Sequence, residues 1–180
     1  MPITLPVPVS AGDWQDGPAE APVTLVEYAD FQCDDSRAAF PLLKRLREEH
    51  AGRLRFVFRH LPLTDEHVYA LDAAKAAEAA GALGKFWPMH DALFAGDPNA
   101  PQLIRADLLA AAERIGLSEA DFLRAFADPG AYAGVRADVD GIRITDIHST
   151  PTLFVNGERY EGKNTYDALS KAISQANKGG

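Results

Sequence analysis

Strand-forming patterns occur near the two ends of this chain and are missing from its middle, and this limits its fold more than any other feature. Val23-Thr-Leu-Val-Glu-Tyr28 is almost wholly β-branched or apolar, as a strand covered on both faces would be, with Glu27 the exception. Leu54-Arg-Phe-Val-Phe-Arg59 alternates and reads as a second strand. Between them, after Asp30-Phe-Gln-Cys33-Asp-Asp-Ser36, a helical run reaches about His50 with Leu42, Leu43 and Leu46 as its apolar stripe. Pro41 predicts a kink in it, and Ala51-Gly52 ends it. This β-α-β order predicts parallel strands joined by a right-handed crossover. From Asp65 to about His148 the patterns are helical: Ala70 to Ala82, Lys85 to Phe94, and Leu103 to Ile115. A fourth helix starts at the capping-box-like Ser118-Glu-Ala-Asp121 and is closed by Pro129-Gly130. A fifth, Ala131 to about Ile147, is weakened by Gly134 and Gly141, and Pro98 and Pro101 punctuate the block. Strand character returns at Thr152 to Val155, turns at Asn156-Gly157, and runs back through Glu158 to Tyr160. Asn164 or Thr165 then caps a last helix to about Asn177.

At 180 residues, 47% hydrophobic and 24% charged, the chain has the size and composition of one globular domain with room for an insertion. A net charge of -8 argues against a nucleic-acid partner, which calls for a basic face. No stretch is apolar for long enough to cross a bilayer. The start, Met1-Pro-Ile-Thr-Leu-Pro-Val-Pro-Val-Ser, lacks the basic and apolar parts of a signal peptide. The expected location is the cytoplasm, or outside it if a leader has been removed. One cysteine excludes an intrachain disulfide and a zinc site of several thiolates. His60, His67, His90 and His148 are widely spaced, and Asp30, Asp34, Asp35, Asp65 and Glu66 read better as solvated loop acids than as cation ligands. No metal or cofactor is expected. Phe86, Trp87, Met89 and Phe94 read as core of the helical block.

Cys33 falls where the loop after the first strand meets the start of a helix. Open α/β sheets bind ligands at the carboxyl ends of their strands, and helix N-termini favour thiolates. A buried bystander thiol fits the position equally well. Asp30-Phe31-Gln32-Cys33 together with Ser149-Thr150-Pro151-Thr152 resembles the DsbA-like branch of the thioredoxin superfamily. Gly17 to Tyr28, Phe56 to Pro62, Gly84 to Trp87, Met89 to Asp91 and Thr150 to Gly157 are similar, in that order, to the bacterial subgroup also found fused to sodium/proton antiporters. The resemblance implies an α/β thioredoxin fold, a mixed central sheet with a helix on each face, carrying an inserted all-helical subdomain. The expected division is an arm over 1–22, a thioredoxin-like domain over 23–63 and 149–180, and the insertion over 64–148. The resemblance also implies that Cys33 is the nucleophile on disulfides and that Thr150-Pro151 is cis. Further, it implies that Thr150, Pro151, Phe31, Asp34 and Asp35 border the substrate, and that Glu27 assists proton transfer beneath the motif. Glu27 reads equally well as a carboxylate that reaches water.

Cys33-Asp34-Asp35-Ser36 departs from the Cys-x-x-Cys of that family. A serine hydroxyl cannot close a disulfide, so a dithiol cycle within this chain is impossible. The two carboxylates disfavour a thiolate and the helix start favours one by ~0.3–1 kcal/mol, so neither clearly wins. Arg37 is the nearest cation in sequence and would offset one Asp. His148 would either end a helix or face Cys33, with the helix end preferred. Three functions fit. The first is a monothiol thiol–disulfide oxidoreductase acting on protein or small-thiol mixed disulfides. The second is a redox-inactive module binding a peptide or partner beside Pro151. The third is a glutathione-dependent transferase or isomerase using Ser36. The first accords with the resemblance.

Overall fold

The computed structural model describes residues 3–96, 103–143 and 145–177. Its elements are β1 (Trp14–Asp16), β2 (Val23–Ala29), α1 (Asp34–Glu49), β3 (Leu54–His60), α2 (Ala70–Ala82) and α3 (Phe86–Phe94). They continue with α4 (Arg105–Arg114), α5 (Glu119–Ala127), α6 (Pro129–Ile142), β4 (Thr152–Val155), β5 (Glu158–Arg159) and α7 (Tyr166–Ala176). One mixed sheet runs in the order β1-β3-β2-β4-β5. β2 and β3 are parallel, as a β-α-β crossover requires, and the other neighbours are antiparallel. This is the α/β architecture expected, with five helices between β3 and β4. The expected prolines Pro98 and Pro101 lie outside the described residues, as do the last three positions of the 149–180 segment.

Most boundaries fall within two residues of expectation, but the fifth helix does not. Pro129 opens α6, with the Asp128 carboxylate accepting from the Gly130 N–H at 2.7 Å. A proline lacks the N–H that the first helical turn leaves unused, so it starts this helix and does not merely close the previous one. α6 stops at Ile142, so His148 lies beyond it, exposed, and ends no helix.

The two remaining helices also differ from expectation. α1 and α7 do not take one face of the sheet each. Leu43 and Leu46 of α1 and Leu169 and Ile173 of α7 share one core with Val23, Leu25 and Ala29 of β2. The opposite face, carrying Val26, Tyr28, Val57 and Phe154, is met by Ile142, by Ile147, and by the arm residues Ile3, Leu5 and Val9. The arm can do this because its apolar residues fall at odd positions, matching the period of an extended chain.

The arm also straps the sheet. Thr4 bridges Glu158 at one edge, and β1 pairs with β3 at the other. Between them the buried Arg59 donates to the Asp13 carboxylate at 2.7 Å, to the Val7 and Pro8 carbonyls and to the Tyr28 hydroxyl. Burial opposes the Arg59 charge, but the bonds to Asp13 and Tyr28 outweigh it and raise the guanidinium's proton affinity. Cutting one partner from such a buried pair strands the other charge.

Trp14 continues this strap into the helical block. Its ring stacks on Phe86 with centroids 4.2 Å apart, and its Nε1 donates to Glu78 Oε1 at 2.6 Å. The same carboxylate lies 3.0 Å from His60 Nε2. A Cβ on Gly81 would sit 2.4 Å from the Trp14 ring, and one on Gly134 would sit 2.3 Å from Glu78 Oε2. Gly81 is therefore a contact point between α2 and the arm, and Gly134 one between α6 and α2. Because Phe86 holds the far side of the Trp14 ring, Gly81→Ala is expected to destabilise the fold by ~1–3 kcal/mol in urea unfolding, despite the gain in helix propensity.

Candidate active site

Strand register brings the Cys33 loop and the Thr150-Pro151 loop together. β4 runs antiparallel to β2, and its first residue, Thr152, pairs with Tyr28 near the carboxyl end of β2. The loop leaving β2 and the loop entering β4 therefore emerge at the same edge. The first carries Cys33 and the second carries Thr150-Pro151, whose peptide bond is cis. Cys33 is half-buried and its Sγ lies 3.2 Å from the Thr150 carbonyl oxygen, to which the thiol donates.

Cys33 is the N-cap residue of α1, with φ -69° and ψ 125°. No side chain caps this helix end, so the first-turn N–H groups that follow Cys33 lack a side-chain acceptor. Asp34 and Asp35 occupy that turn and are exposed. Neither carboxylate has an ion pair or hydrogen-bond partner among the described residues. Arg37 does not offset them. Its guanidinium reaches the Leu93 and Gly96 carbonyls at 3.4 and 3.5 Å, where it closes the C-terminal end of α3. Open helix-end carbonyls outcompete solvated carboxylates for a half-buried guanidinium.

Ser36 is fully buried one turn into α1, and its hydroxyl lies 3.5 Å from the Asp30 N–H. Phe31, expected at the substrate groove, is instead core. It is 1% exposed and packs on Phe58, Phe94 and His90. A phenyl ring at that position gains more from the aromatic cluster than from the wet loop edge. His148 is exposed in the segment leading to Thr150.

Glu27 lies on the core-facing side of β2, paired in register with Phe58 and with Leu153, two residues past Pro151. It is 2% exposed, and its Oε1 has no hydrogen-bond partner among the described residues. The reading of Glu27 as a carboxylate reaching water is therefore overturned. Burial pushes its carboxyl up to about 8, with the Arg47 charge a smaller opposing influence.

Asp30 is the organising residue that the sequence reading left among solvated acids. It is 2% exposed. One oxygen accepts from the Gln32 N–H at 2.8 Å, and the other accepts from the Leu63 N–H at 2.9 Å and contacts His67 Nδ1 at 2.7 Å. The Gln32 side chain accepts in turn from the Tyr69 N–H at 2.7 Å. The Cys33 loop is thus pinned to the segment after β3. The legible signal was an Asp two residues before a loop N–H at the end of a strand, the usual Asx-turn position. His67, weighed only as a metal ligand, belongs to this brace.

A family model described as Thioredoxin matches residues 11–175. The chain belongs to that family. It is 46% identical over 175 residues to the Na(+)/H(+) antiporter NhaA 1 of Salinispora arenicola, covering 97% of this chain and 26% of that protein. It is 35% identical over its whole length to the Na(+)/H(+) antiporter NhaA of Herminiimonas arsenicoxydans, covering 28% of that protein. The chain therefore spans about a quarter of the length of these relatives, which bears out the expected kinship. Its fold is that of the DsbA-like proteins. A thioredoxin-like oxidoreductase from Silicibacter pomeroyi superposes with TM-score 0.82 at 24% identity, covering 95% of each chain. Oxidised BdbD from Bacillus subtilis superposes with TM-score 0.81 at 23% identity, covering 93% of this chain and 94% of its own. No helix of the described residues is long and apolar enough to cross a membrane.

The thioredoxin-family chain carries a testable electrostatic signature at Glu27. Between pH about 4.5 and 8 the unfolded carboxyl releases a proton that the folded one keeps, so stability falls as pH rises through that window. Glu27→Gln has no such titration. Its stability advantage over the parent protein, read by urea unfolding, is expected to widen from pH about 5 and to reach ~1–3 kcal/mol near pH 8. A gap that stays constant with pH would place the proton elsewhere.

Proposed function

We propose that the chain is a monothiol thiol–disulfide exchange protein with Cys33 as its nucleophile. The observation that carries this is the half-buried Cys33 thiol at the open start of α1, 3.2 Å from the carbonyl of the residue before cis-Pro151. The thiolate attacks one sulfur of a disulfide. An Sγ–S bond forms as the old S–S bond breaks, and the other half leaves as a thiolate that takes up a proton. Because position 36 is serine, release needs a free thiol from outside the chain, which attacks the mixed disulfide and returns Cys33 to its reduced state. The exchange is therefore electron-neutral for the protein. Thr150 and Pro151 line the substrate path, where an extended peptide can pair with the Thr150 backbone as an added strand. Glu27, protonated at neutral pH by burial, supplies a proton reservoir one strand register from that loop.

The peptide-binding reading retains one observation in its favour. Asp34 and Asp35 directly follow Cys33, exposed and without a partner among the described residues, where their charge disfavours an anionic reactant. The transferase reading has none: the Ser36 hydroxyl is buried behind Asp30 and does not face a substrate.

Alkylation of Cys33 faster in the folded protein than in the denatured chain is expected, together with a trapped mixed disulfide that Cys33→Ser abolishes. Alkylation no faster than in the denatured chain would leave only the binding reading. Ser36→Cys restores the missing thiol in the buried first turn of α1. It is expected to close an intramolecular disulfide and to add reductase turnover that the parent protein lacks, measured with a dithiol-dependent insulin assay.

A further inference from the structure

Resting on the monothiol role of Cys33, we propose that the site selects cationic disulfides, such as cysteine peptides flanked by lysine or arginine, over anionic ones. Asp34 and Asp35 stand in the first turn of the helix that Cys33 caps, both exposed and both without a counter-ion among the described residues. The cation nearest in sequence, Arg37, is committed to the Leu93 and Gly96 carbonyls. On the other side, the segment braced to the Cys33 loop through Asp30 carries Asp65 and Glu66, also exposed. His67, which belongs to that segment, is paired with Asp30. His148, exposed two residues before Thr150, is the other basic group of this edge. Exposed acids therefore outnumber the basic groups along this edge, and no ion pair neutralises Asp34 or Asp35 among the described residues.

A second, independent feature points to a ligand here. Thr150, the residue whose carbonyl meets the sulfur, is 6% exposed, and its hydroxyl has no hydrogen-bond partner among the described residues. A buried hydroxyl left unpaired is costly, and an N–H or ammonium donor brought in by a substrate would satisfy it. Unpaired surface acids cost little in the free protein but act on every charged reactant that approaches. A cationic partner gains local concentration beside Cys33 and an anionic one does not.

The test is a rate ratio, which cancels the nucleophilicity of Cys33. Second-order rates with cystamine, 2-hydroxyethyl disulfide and oxidised glutathione are measured at low ionic strength and pH about 8. Each is divided by the rate for the neutral thiol N-acetylcysteine amide. The normalised cystamine-to-glutathione ratio is expected to be about tenfold or more, falling toward one near 0.5 M salt. Asp34→Asn with Asp35→Asn is expected to collapse the ratio. Glu48→Gln, at the other end of α1 about 20 Å away, should leave the ratio unchanged. A ratio near one with a fast neutral disulfide would overturn the charge selection and leave the exchange role standing. If all three disulfides react no faster than with the denatured chain, both fail.

Discussion

The antiparallel pairing of β4 with β2 is the constraint on which the site depends. Residues separated by more than a hundred positions meet because Thr152 is hydrogen-bonded into register with Tyr28. A slip of one residue would turn every β4 side chain to the opposite face. Leu153 would then leave the core it shares with β2 and α1, and Phe154 would leave the opposite core under the arm. Burial on both faces thus fixes the register, and the register fixes how far the Thr150 carbonyl lies from the Cys33 sulfur. The helical block between β3 and β4 does not disturb this, since it enters and leaves the sheet between strands that flank β2.

The loop that carries Cys33 is held by a buried carboxylate and not by apolar packing. Asp30 is removed from water, and such a group is tolerated only when its oxygens are satisfied. Two backbone N–H groups and an imidazole do so from two separate segments. Polar bonds of this kind are directional, whereas the Phe31 ring beside it contributes burial without direction. The division suits a reactive edge, where the aromatic cluster supplies stability and Asp30 supplies position. Glu27 is the contrasting case, a buried carboxyl left short of partners and therefore held protonated.

The arm is a further example of buried charge used for position. Arg59 reads in the sequence as an alternating polar residue at the end of a strand. In the fold it is the post around which residues 7–13 are wound. Trp14 then ties that arm to α2 and α3, beside the contacts that Phe56 and Phe58 of β3 make with Trp87 and Phe86.

By itself the sequence determined the order of elements, most of their limits and the chemistry available. Apolar runs at β2 and β3, the Asn156-Gly157 turn and the Thr165 cap are local signals, written in periodicity and backbone preference. The single cysteine and Ser36 exclude a dithiol cycle within the chain on their own. Only the tertiary structure decided which face each helix covers, that Phe31 is core, that Arg37 closes α3, and that Asp30 and His67 brace the reactive loop. Each of these depends on partners distant in sequence, and a polar side chain carries no local mark of whether its partner will be water or a buried backbone N–H.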